Sequence, residues 1–129
     1  MTARLLIADS DPSLCEIYAY YLSVHDFEVQ TASDGIECLE RARAFQPDAL
    51  LLEWELLWGG GDGVLARLQE EFFGGSPRVV VTSDQPADEI FPYFPAPVVE
   101  CVRKPFRLAS ILPLFRGEPA ASARLLCRG

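Results

Sequence analysis

The chain has 129 residues, half of them hydrophobic and 23% charged, with a formal net charge of −8. That length suits one domain burying about two thirds of its unfolded surface, and the composition is that of a globular protein rather than a disordered one. No apolar run nears the roughly 18 residues of a membrane span and the N-terminus is no signal peptide, so the expected location is cytoplasmic.

Five apolar runs, at 4–8, 27–32, 49–54, 78–82 and 98–102, alternate with segments of helical period. That alternation predicts an α/β fold, a parallel sheet covered by helices on both faces. After the first run, Asp11 as N-cap and Pro12 at the first helical position predict a helix whose stripe carries Leu14, Ile17, Tyr21 and Leu22. A second helix over about 35–45 is expected to bury Ile36 and Leu39 and to end before Pro47. A third, over about 63–73, presents Val64, Leu65, Leu68 and Phe72 and stops at Gly74-Gly75. The fourth crossover contains Pro92, Pro95 and Pro97. Interior proline costs a helix about 3 kcal/mol, so one turn over 87–91 is expected, then a loop whose Phe91, Tyr93 and Phe94 cover the sheet, with a recognition surface as the alternative. The last helix begins near Arg107 with Leu108, Ile111, Leu112 and Phe115 inward. Residues 1–116 therefore read as one domain and 117–129 as a tail or linker.

Charge and cysteines narrow the function. Residues 1–102 hold 18 acids against five bases, while 103–129 hold one against six. Nucleic-acid binding by the main body is disfavoured, because phosphate contacts need a basic face. Cys15, Cys38, Cys101 and Cys127 lack C-x-x-C spacing and read as buried reduced thiols, and a lone His25 gives no zinc cluster.

In open parallel sheets, chemistry sits outside the carboxyl ends of the strands. There the sequence collects Asp9 after strand 1, Glu53 after strand 3, Thr82-Ser83 after strand 4, and Lys104, the only lysine, after strand 5. A compact ammonium suits a small cluster of acids better than a planar guanidinium does.

The runs 5–12 (LLIADSDP), 32–35 (ASDG), 47–53 (PDALLLE), 79–83 (VVVTS) and Lys104-Pro105-Phe106 resemble, in order, the receiver domain of bacterial two-component response regulators. The resemblance covers about residues 3–116. It implies a flavodoxin-like, doubly wound five-stranded parallel sheet of order 2-1-3-4-5, its fourth helix here shortened or disrupted. It also implies phosphotransfer from a histidine kinase to an aspartate after strand 3. In the family, acids after strand 1 hold Mg2+, a Thr or Ser after strand 4 contacts the phosphoryl group, and the lysine bridges to it. Asp9, Thr82 and Lys104 match. Glu53 stands at the phosphoacceptor position and Ser10 replaces the second acid of the pocket formed by Asp9, Ser10 and Asp11.

Those two departures count against phosphotransfer. Glutamate extends the carboxylate by about 1.5 Å of bond length, and an error of roughly 1 Å in a reacting group costs about a hundredfold in rate. The expectation is no metal, or Mg2+ held weakly by Asp9 and Glu53 with waters. Glu53 is expected to hold Lys104 directly, giving an atypical, phosphorylation-independent receiver that acts through a protein partner and is not an enzyme. A homodimer is left open. The loop at 57–63 is about two residues longer than the family's and reads as mobile, with Trp58 a lid, contact or packed residue. Two alternatives stand beside this reading. Asp9-Ser10-Asp11 also resembles the first motif of haloacid dehalogenase-type phosphatases, with Asp9 as nucleophile and Asp11 as acid or base, though only Glu118 follows the lysine to hold a metal. The other is an inert receiver-fold interaction scaffold.

Overall fold

The computed structural model describes residues 3–71, 77–94, 98 and 100–116. The expectations placed on Phe72 to Gly75, Pro95, Pro97, Cys127, Glu118 and the 117–129 tail lie outside them. In chain order the elements are β1 (Ala3–Ala8), α1 (Pro12–Ser23), β2 (Phe27–Ala32), α2 (Gly35–Phe45) and β3 (Ala49–Glu53), then α3 (Gly60–Glu71), β4 (Arg78–Ser83), α4 (Ala87–Ile90), β5 (Glu100–Arg103) and α5 (Leu108–Phe115). All strand pairings are parallel and the order is β2-β1-β3-β4-β5.

Because successive side chains of a strand point to opposite faces, the uninterrupted apolar runs feed two cores. Leu5, Ile7, Ala49, Leu51 and Val80 pack with α1 and α5 on one face. Leu6, Ala8, Leu50, Leu52, Val79 and Val81 pack with α2, α3 and α4 on the other. This two-sided burial explains why the runs carry no polar alternation. Among the described residues, no helix is long and apolar enough to cross a membrane.

Helix α1 starts as expected, with the Asp11 carboxylate accepting from the Ser13 and Leu14 N–H groups. Its buried stripe is Cys15, Tyr18 and Leu22, flanked by Leu14 and Tyr21. Ile17, expected inside, is 52% exposed, because one residue off the stripe turns a side chain by about a quarter of a turn. Helix α2 likewise buries Gly35, Cys38, Ala42 and Phe45, which leaves Leu39 partly buried and puts Ile36 in solvent at 59% exposure. Small residues take the sheet-facing positions there, so counting large apolar letters misplaced the stripe.

The fourth crossover contains one α turn followed by a 3-10 turn, Phe91–Tyr93, with Pro92 inside it. Phe94 packs on Trp54 at a ring-centroid distance of 5.1 Å. Phe91 and Tyr93 are exposed rather than covering the sheet. Strand β5 begins at Glu100, two residues later than expected, and α3 begins at Gly60, three residues earlier. Gly59 and Gly60 take positive φ angles of 112° and 67°, so the chain turns into the helix on residues that carry no Cβ penalty.

Candidate functional site

The sheet order puts β1 and β3 side by side, with Ala8 opposite Leu52. Their C-terminal ends therefore bring Asp9 and Glu53 together where the strand order reverses, the usual ligand position in such sheets. Both carboxylates are buried, as are Thr82 and Ser83 at the end of β4. Lys104 directly follows β5 and precedes a cis peptide bond to Pro105, and its backbone N–H donates to the Ser83 carbonyl at 2.7 Å. From there Nζ donates to Asp9 Oδ2 at 2.8 Å and to Glu53 Oε2 at 3.0 Å, with the side chain only 12% exposed.

The remaining carboxylate oxygens are also engaged. Asp9 Oδ1 accepts from the Asp11 N–H at 2.8 Å, and Glu53 Oε1 accepts from the Ser10 N–H at 2.8 Å. The Ser10 hydroxyl in turn accepts from the Leu57 N–H at 3.3 Å, tying the loop after β3 to the loop after β1. Asp11 lies outside the cluster because its carboxylate caps α1. Thr82 stands opposite Glu53 in the sheet register. The long loop, expected to add mobility, is held at both ends. Gly35 N–H donates to the Leu57 carbonyl at 2.7 Å and Gly61 N–H to the Trp54 carbonyl at 2.9 Å.

Sequence reasoning missed Glu55. Its Oε2 accepts from the Ser83 hydroxyl at 2.5 Å and from Gln85 Nε2 at 3.1 Å, and so clamps the loop after β3 to the loop after β4. The signal was its position two residues past Glu53, but an acid in a loop reads as solvated until the neighbouring strand is known.

One lysine shared by two acids leaves the cluster with a surplus negative charge. For Asp9, burial is the largest influence and keeps its carboxyl above the ordinary aspartate range despite the bonds from Lys104 and Asp11. Burial also pushes Glu53 up, but the Ser10 N–H and the Lys104 ammonium outweigh it and hold the group below its ordinary value. Burial would lower Lys104, yet its hydrogen bonds to Asp9 and Glu53 dominate and raise it. A depressed carboxyl contributes stability above its unfolded value that is lost as pH falls through the folded one. Wild type and Glu53→Gln are thus expected to differ in urea midpoint at pH 7 and to converge as pH drops below about 4.5, the ordinary glutamate value. Equal midpoints at both pH values would show that Glu53 takes no part in stability.

The sequence matches the family described as the response regulator receiver domain over residues 5–116. The chain belongs to the response regulator receiver family. It is 29% identical over 118 residues to the DNA-binding response regulator MtrA of Mycolicibacterium smegmatis, covering 92% of this chain and 51% of that protein. It is 30% identical over 117 residues to the response regulator MprA of Mycobacterium ulcerans, covering 90% and 50%. The chain thus spans about half the length of these relatives. Among solved structures, the receiver fold is matched by the chemotaxis response regulator CheY4 of Vibrio cholerae, with TM-score 0.78, 20% identity and coverage of 90% and 98%. The signal receiver domain of an HD domain-containing protein from Pseudomonas fluorescens Pf-5 gives TM-score 0.80 at 17% identity, covering 90% and 93%. In this receiver domain, glutamate occupies the end of β3 and serine follows Asp9.

Proposed function

We propose that this receiver domain signals without phosphotransfer, with Glu53 as a built-in partner for Lys104, and that it acts by protein–protein interaction. The observation that carries the reading is the pair of hydrogen bonds that Lys104 Nζ donates, to Asp9 at 2.8 Å and to Glu53 at 3.0 Å. The Glu53 carboxylate, with Asp9, gives that lysine the acceptor a phosphoryl group would otherwise supply. The substitute is weaker in charge, since phosphorylation brings about −1.5 to −2 and three acceptor oxygens.

Mg2+ would be held weakly in this arrangement. Lys104 Nζ already sits between Asp9 and Glu53, so a Mg2+ bound by those two carboxylates and waters would have to displace the ammonium. Among the described residues, no group of three or more His, Cys, Asp and Glu side chains is placed to hold a metal. Against the phosphatase alternative stands the use of Asp11 Oδ1 as the cap of α1, accepting from the Ser13 and Leu14 N–H groups. A protein partner is favoured over nucleic acid by the 18 acids against five bases in residues 1–102.

Incubation with acetyl phosphate and Mg2+ followed by intact mass tests the reading. The expected outcome is no stable gain of a phosphoryl group. A gain that disappears in Glu53→Gln would overturn it and restore ordinary receiver chemistry, while hydrolysis of a phosphate ester would favour the phosphatase.

A further inference from the structure

Beside the acidic pocket, three large apolar side chains stand in solvent. Trp58 is 70% exposed, Leu57 59% and Ile36 59%. Leu57 and Trp58 sit on the loop after β3, and Ile36 on the first turn of α2. The two segments touch, since Gly35 N–H donates to the Leu57 carbonyl at 2.7 Å. Clustered exposed apolar residues mark interaction surfaces more often than scattered ones do.

The backbone under the indole is fixed rather than loose. Leu57 N–H is taken by the Ser10 hydroxyl and its carbonyl by Gly35. The Trp58 carbonyl lies only 2.0 Å from where a Cβ on Gly35 would stand. Trp58 itself adopts φ of +58°, a conformation that strains a non-glycine residue and persists only where its surroundings impose it. A rigid aromatic anchor loses little freedom on binding, and tryptophan leads the residues that dominate interfaces.

Charge identifies the partner. Next to Trp58 lies a groove of about 410 Å³ floored by Leu39 and Val64. Arg67 on its rim is already paired with Glu70 at 3.7 Å and Glu71 at 3.5 Å. The exposed Glu40, one turn beyond Ile36, and the exposed Asp62 have no ion pair of their own among the described residues. The unspent charge is negative.

We infer that Trp58, Leu57 and Ile36 form a docking platform for a cationic, apolar-anchored segment of a partner protein. This rests on the reading of the chain as an interaction receiver, though not on the chemistry of Glu53. The probe is a fluorescein-labelled 14-residue helical peptide with leucine on one face and lysine on the other, beside a counterpart carrying glutamate for every lysine. Anisotropy at about 150 mM salt, near the physiological ionic strength, is expected to show saturable binding of the lysine peptide, weakened at least tenfold in Trp58→Gly, which suits the positive φ, and severalfold in Ile36→Ser. Backbone amide shifts should concentrate at residues 36 and 57–63. Equal binding by wild type and Trp58→Gly, or equal binding of the glutamate peptide, would overturn the inference. A Trp58-dependent dimer in sedimentation, with no peptide binding, would also overturn it by assigning the platform to a second copy. Phosphorylation of Glu53 with Trp58-dependent binding intact would sink only the pocket reading, and the reverse pair of results would sink only the platform.

Discussion

Replacing Lys104 with methionine is expected to lower the unfolding free energy by about 3–5 kcal/mol at pH 7, the range seen when one partner of a buried ion pair is removed. Two buried carboxylates, Asp9 and Glu53, would be left without their shared cation. The stem length is kept, so lost packing contributes little. Asp9 already stands above its ordinary range because of burial. Without the ammonium it would rise further and take up a proton, so the deficit should shrink as pH falls toward 4. A double variant, Lys104→Met with Glu53→Gln, should recover part of the loss, since the cost lies in the unpaired charges more than in the absent lysine. Urea unfolding of the four proteins forms a double-mutant cycle whose coupling term should exceed about 1 kcal/mol, as expected of groups in one network. A Lys104→Met loss below about 1 kcal/mol would place the pair with ordinary surface ion pairs and remove the basis for Glu53 as its holder.

Much of this site is legible before any coordinates. Continuous apolar runs fix the strands, because a strand buried on both faces has no room for polar alternation, and the acids and lysine at their C-terminal ends then meet by topology alone. Sequence counting fails where packing is set by small residues. Cys38 and Ala42 face the sheet from α2, and Ile36 is displaced outward, although its hydropathy predicts the reverse. It fails again where a contact joins segments distant in the chain. Neither the Ser10 hydroxyl on Leu57 N–H nor Glu55 on Ser83 has a local sequence signature. The three glycines after Trp58 look like added slack until Gly61 is found with Trp54 Cα 2.9 Å from its would-be Cβ, which leaves backbone room only for hydrogen.

That close packing makes glycine substitutions the second large effect. Gly35→Ala is expected to cost about 2–3 kcal/mol, within the usual range for overpacking. The added methyl would meet the Trp58 carbonyl oxygen at 2.0 Å and its carbon at 3.1 Å. Both are backbone atoms, so no rotamer change relieves the clash. The loop would have to lift, stretching the Gly35 to Leu57 hydrogen bond of 2.7 Å. Helix propensity alone argues for the opposite sign, because alanine is better than glycine inside a helix by up to about 1 kcal/mol. Gly63 supplies the control. It lies within α3 with nothing within 4 Å of a would-be Cβ, so Gly63→Ala should gain about 0.5–1 kcal/mol. Urea midpoints moving in opposite directions for the two variants would establish that the loop carrying Trp58 rests on the first turn of α2. Equal gains would mean that the loop stands free of it, and the fixed backbone invoked for the Trp58 platform would fall with it.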